Sequence, residues 1–209
     1  MLPKRTPNVA LVLALVAGTI AVGLARSEPV AGQDAADAET KIENAMSAAP
    51  STIAENATIL DNELDAAGKF VVLREGSNGW FCSPDALGTP GPDPWCYDQT
   101  WLDWAYAFVA QEEPTTTVAG LAYMLQGGSD ASNTDPFATG PAAGEEWVAS
   151  PPHVMILLPG DLDRTVFSTD PHSGGPWIMW AGTPYEHIMM PVAEGEHGGH
   201  EMPMGTPEG

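Results

Sequence analysis

The chain repeats itself once, and the repeat restricts what its C-terminal half can fold into. Residues 133–141 read N-T-D-P-F-A-T-G-P and residues 168–176 read S-T-D-P-H-S-G-G-P, with five of nine positions identical. Each copy leads to a second match. The first runs from Trp147 to His153-Val154-Met155, and the second from Trp180 to His187-Ile188-Met189, with one residue inserted. Both copies are Gly- and Pro-rich loops that give way to short apolar stretches, which reads as loops feeding strands. Residues i and i+2 of a strand share a face. Each copy therefore offers an imidazole and a thioether on one side.

Imidazole with thioether is a donor set suited to copper. The candidate ligands are His153, Met155, His187 and Met189. If the two copies lie as neighbouring strands, the four side chains are expected to converge, with Met179 and Trp180 close by. A second set, His197, His200, Met202 and Met204, stands within eight residues near the C-terminus. The pattern is similar to the His-x-Met ends of small periplasmic copper chaperones, although the spacing of the other His and Met residues departs from theirs. Packing gives a competing account: methionines fill cores, and histidines at strand starts are hydrogen-bonded.

The N-terminus has the form of an export signal. Lys4 and Arg5 precede an uncharged apolar run, Val9 to Ala25, and Gly23-Leu24-Ala25 offers the small residues read at cleavage. Residues 1–25 are expected to be removed, with a retained anchor as the alternative. The protein is then periplasmic or secreted, with no membrane contact after cleavage. Loss of Lys4 and Arg5 takes the formal charge from −21 to −23. Such a surface repels phosphate backbones, so no nucleic-acid partner is expected. It favours solubility and attracts cations. Cys82 and Cys96 are the only two cysteines, and in an exported chain they are expected to form a disulfide. Closing a loop of about 15 residues stabilises a fold by roughly 3 kcal/mol through lost chain entropy.

Residues 26–40 are acidic and small and read as a disordered tether. Thr40 to Glu43 has the form of a capping box. Ile42, Ala45, Met46 and Ala49 follow at helical spacing until Pro50. Strands are expected over 57–60, 69–75, 118–125, 153–158, 177–181 and 188–192. Asn78-Gly79 between apolar runs signals a hairpin. Asp98 can cap a helix whose core-forming face carries Trp101, Trp104, Ala105 and Phe108. The expected fold class is α+β over residues 41–193: a mainly antiparallel sheet with two helices in the N-terminal half, and one disulfide. The run Val154 to Leu158 suggests a strand buried on both faces. Residues 194–209 read as a flexible His- and Met-bearing tail.

The blocks R-E-G-S-N-G-W-F-C, Y-M-L-Q-G-G-S-D-A-S-N-T-D-P-F and W-A-G-T-P-Y-E-H-I-M-M-P-V resemble those of a family of uncharacterised exported bacterial proteins. The resemblance spans about residues 50–192. It implies a shared fold and export. It carries no activity and no catalytic residue.

Three functions are open at this level. The first is a small binding module handling copper or another soft metal ion, or a small ligand. The second is a hydrolase-like enzyme using His153, His172 and His187 with Ser129 and the Asp130–Asp135 loop, although no ordered hydrolase signature occurs. The third is a structural or interaction protein. Oxygen ligands at Asp130, Ser132, Asn133 and Asp135 also suggest calcium, without the Gly and distal Glu of an EF-hand. In both Thr-Asp-Pro passages an Asx-type turn accounts for the Asp equally well.

Overall fold

The structure, a computed structural model, describes residues 31–86 and 88–193. In chain order the elements are α1 (Ala31–Met46), α2 (Ser51–Ala54), β1 (Thr58–Leu64), β2 (Phe70–Arg74), β3 (Phe81–Ser83), β4 (Trp95–Tyr97), α3 (Gln99–Ala110), β5 (Gly120–Met124), β6 (Gly128–Asp130), β7 (Val148–Ser150), β8 (His153–Leu157), β9 (Trp177–Met179) and β10 (His187–Pro191). The fold is α+β. One eight-stranded sheet has the order β2-β1-β3-β4-β5-β8-β10-β9. Its pairs are antiparallel except β1 with β3. A separate ribbon pairs β6 with β7.

Strand alternation divides the sheet into two faces. Ile59, Cys82 and Cys96 point to the face covered by α1, where Ala45, Ala48 and Ala54 pack against them. Tyr97, Ala122, Met155, Met179 and Met189 point to the opposite face, under Trp101, Trp104 and Ala105 of α3. Cys82 lies directly opposite Cys96 on β3 and β4, and the two form the expected disulfide.

Helix α3 begins where its sequence marks it. One oxygen of Asp98 accepts the N–H of Trp101 at 3.1 Å, satisfying an orphan donor of the first turn. The other accepts the N–H of Leu121 at 2.8 Å, so the same carboxylate ties the helix to β5. Trp101, Leu102, Trp104 and Ala105 form the buried face.

Five expectations need correction. Residues 31–40 are not a tether: α1 already runs from Ala31, and Thr40 lies inside it rather than at its cap. The Ala residues of this stretch are the strongest helix formers, which composition read as disorder did not weigh. Only 26–30 of the proposed tether remain, and they lie with the expected leader outside the described residues. The strand β8 is not buried on both faces, since its burial alternates. The four His-x-Met side chains do not converge, as described below.

The hairpin through Asn78-Gly79 is not formed either. Strand β1 lies between β2 and β3, and β3 runs parallel to it. The true hairpin joins β1 to β2 over Asp65, whose side chain accepts the N–H groups of Ala67 and Lys69 at 2.8 and 2.9 Å. The chain beyond β2 instead crosses tightly over the start of β1. A Cβ on Gly76 would stand 2.2 Å from the backbone nitrogen of Thr58. Asn78 donates to the carbonyl of Ile53 at 2.8 Å. The turn residues serve that crossing.

Candidate functional site

The register of β8 and β10 decides how the two His-x-Met pairs meet. Met155 is opposite Met189, and His153 is opposite Pro191. Because the strands run antiparallel, the methionines meet at the centre and the histidines part to opposite ends. On the flanking strands Met124 is opposite His153, and Met179 is opposite His187. One sheet face therefore presents four thioethers and two imidazoles.

The two histidines sit alike. Nδ1 of His153 donates to the carbonyl of Pro151 at 2.7 Å, and Nδ1 of His187 to that of Tyr185 at 3.0 Å. A carbonyl can only accept, so Nδ1 carries the hydrogen in each ring and Nε2 presents its lone pair. Burial pushes both imidazoles down to about 4, keeping them neutral. Nε2 of His153 is buried with no partner among the described residues. Hydrogen-bonded histidines at strand starts are also what packing alone requires, so this geometry is shared by both accounts of the motif.

Above this face lies a cavity of about 540 Å³. Its floor is Met124, Met155, Met179, Met189 and His187. His153 does not line it. Its wall is aromatic: Trp95, Trp101, Trp104, Phe108 and Trp180. Trp104, Phe108 and Trp180 are nearly parallel, with centroids 5.2 to 6.1 Å apart. His187 stands edge-on to Trp101 and Trp180, 5.2 Å from each.

The rim is acidic, with Asp93, Asp130 and Asp135, and none of the lining residues is Lys or Arg. Asp93 accepts the N–H of Ser129 and the hydroxyl of Thr89, joining the 88–93 loop to β6. Burial raises its carboxyl, and those hydrogen bonds oppose the rise. Asp130 has no such compensation: burial first, and then the charge of Asp93, push it up to about 7.

The two repeated loops dock on each other beside the cavity. Asn133 donates from Nδ2 to the carbonyl of Thr169 at 3.0 Å and accepts the indole N–H of Trp177 at 3.2 Å. Its carbonyl accepts the backbone N–H of Trp180 at 2.8 Å. Asp135 and Asp170 each accept the N–H two residues on, at 2.9 Å in both copies, so both are Asx turns. With Ser132 Oγ accepting the N–H groups of Thr134 and Asp135, the loop's oxygens serve its own backbone. This is turn chemistry, and it leaves the calcium reading without support.

The structure thus brings together Met155, Met189 and His187, with Met179 and Trp180 close by as expected, and adds Met124, Asp93 and the rest of the aromatic wall, which the sequence did not join to them. His153 is set apart. His172 is exposed on its loop, away from any constellation. His197, His200, Met202 and Met204 lie outside the described residues. Among the described residues no three His, Cys, Asp or Glu form a metal-binding group, so a metal here would be held mainly by thioethers. Among the described residues, both buried histidines bond backbone carbonyls through Nδ1, and Ser129 Oγ accepts the N–H of Gly91 at 3.0 Å. No described helix is long and apolar enough to cross a membrane.

The site defines a class: an α+β domain with an acid-rimmed, aromatic-walled cavity over a floor of soft donors. The chain matches no protein-family model, no curated protein and no solved structure.

Proposed function

We propose that this protein is a binding module working outside the cytoplasm, and that its ligand is a soft cation, copper(I) before copper(II). The observation that carries this reading is the pairing of Met155 with Met189 on the floor of a cavity that Met124, Met179 and His187 also line. Thioethers favour soft copper(I), and a neutral imidazole is the form that coordinates a metal. The disulfide, the apolar run at Val9 to Ala25 and the resemblance to exported bacterial proteins support an extracytoplasmic location. His197, His200, Met202 and Met204 are a secondary donor set for the same ion.

The observation that favours an enzyme instead is Asp130, a carboxylic acid poised near neutrality inside a cavity. It lacks a partnered base among the described residues.

Competition for copper(I) against a chelator, with the full chain, tests the proposal. The double variant Met155→Leu/Met189→Leu keeps side-chain volume and is expected to weaken retention at least about tenfold. Substituting His197, His200, Met202 and Met204 together is expected to leave the stronger binding in place. Failure of the unaltered protein to compete, or binding that disappears only with the four C-terminal substitutions, overturns the floor as the site.

A further inference from the structure

The cavity is far larger than a bare metal ion requires, and its upper half has a different chemistry from its floor. At about 540 Å³ it falls within the range of about 300–1,000 Å³ usual for small-molecule sites. We infer that the aromatic wall and Asp130 form a second binding site, for a small organic cation carrying a quaternary ammonium group. This goes beyond the soft-cation reading and does not rest on it.

The argument runs through the polar atoms at the rim. Ser129 Oγ is taken by Gly91, and Asp93 by Ser129 and Thr89. Ser132 Oγ and Oδ1 of Asp135 are taken by the amides of their own loop. A sugar or a peptide would need several free donors and acceptors there. A quaternary ammonium needs none. It asks for ring faces and a nearby negative charge. Trp104, Phe108 and Trp180 supply nearly parallel rings, and Trp95 and Trp101 stand at 88° to each other as a corner beside them. The carboxyl of Asp130 supplies the charge, and no lining Lys or Arg opposes it.

Asp130 also gives the site a signature. Its carboxyl lies near half-ionisation at neutral pH, about 7. A bound cation favours the ionised form, so binding should release a proton and strengthen as pH rises. The other titratable groups lining the cavity are Asp93, Asp135 and His187. His187 stays neutral throughout that range.

Calorimetric titration of the full chain with choline and with its neutral isostere, 3,3-dimethylbutan-1-ol, tests the inference. Choline is expected to bind at least about tenfold tighter, and to lose at least about fivefold of its affinity between about pH 8 and about pH 5.5. In Asp130→Asn the preference for choline should shrink, while the isostere is unaffected. Equal binding of the two compounds makes the cavity an apolar pocket and overturns the inference, as does no binding of choline. Met155→Leu/Met189→Leu separates the two proposals, because it should weaken copper(I) retention at least about tenfold and keep choline binding. Loss of one ligand without the other shows which reading fails.

Discussion

His187 is a neutral base in a place where a solvated imidazole would be charged for half of the physiological range. Burial holds it at about 4, against about 6.5 in the unfolded chain. Copper(I) retention by the floor should therefore be nearly flat from about pH 8 to about pH 5.5, whereas retention by solvated imidazoles would fall with acid. Competition at both pH values distinguishes them. Asp130 carries the opposite linkage. Its folded value of about 7 exceeds an unfolded value of about 3.9, so the native state holds the extra proton between these limits. The stability this contributes is full below about 4 and is lost as pH rises through about 7. Asp130→Asn should then match the unaltered protein near pH 4 and exceed it by about 1–3 kcal/mol at pH 8, in urea titrations. Asn133 tests packing rather than charge. Asn133→Ala strips Thr169 and the Trp177 indole of their partner and should cost about 2 kcal/mol by the same method.

At the scale of elements, Gly76 is the sharpest test. Its missing Cβ lets the chain cross β1 where a Cβ would stand 2.2 Å from the backbone nitrogen of Thr58. Gly76→Ala must displace main chain and should destabilise by at least about 2 kcal/mol, read as a lower urea midpoint. The same crossing marks where reading the sequence failed. Asn78-Gly79 is good hairpin chemistry, yet whether a turn pairs its flanking strands depends on what else competes for their edges, and β1 won that place. Where a signal was local and had no competitor, it held. Asp98 caps α3, and His153, Trp177 and His187 open strands close to the expected bounds. The donor floor was half legible. The spacing in each His-x-Met pair placed its two residues on one face, but strand direction is a property of topology. A parallel pair would have brought His153 beside His187, whereas the antiparallel pair brought Met155 beside Met189. Met124 and Asp93 could not be joined to the site until the order of strands was known.

On the scale of the whole molecule, charge and cross-link dominate. A formal charge of −21 makes the compact state repel itself, and salt screens that repulsion over about 10 Å at 0.1 M. Raising sodium chloride should raise the thermal midpoint even though only two ion pairs, Lys41–Asp61 and Arg164–Glu186, occur among the described residues. The disulfide lies on the α1 face, and the cavity opens on the other, with the sheet between them. Both sulfurs belong to residues of zero solvent exposure. Attack by an external thiolate needs access to a sulfur atom, and here access requires the α1 side to open first. A reducing agent in solution therefore acts on the cystine only after that side has opened. So long as it stays folded, the protein should keep its cystine oxidised in surroundings that would reduce an exposed one.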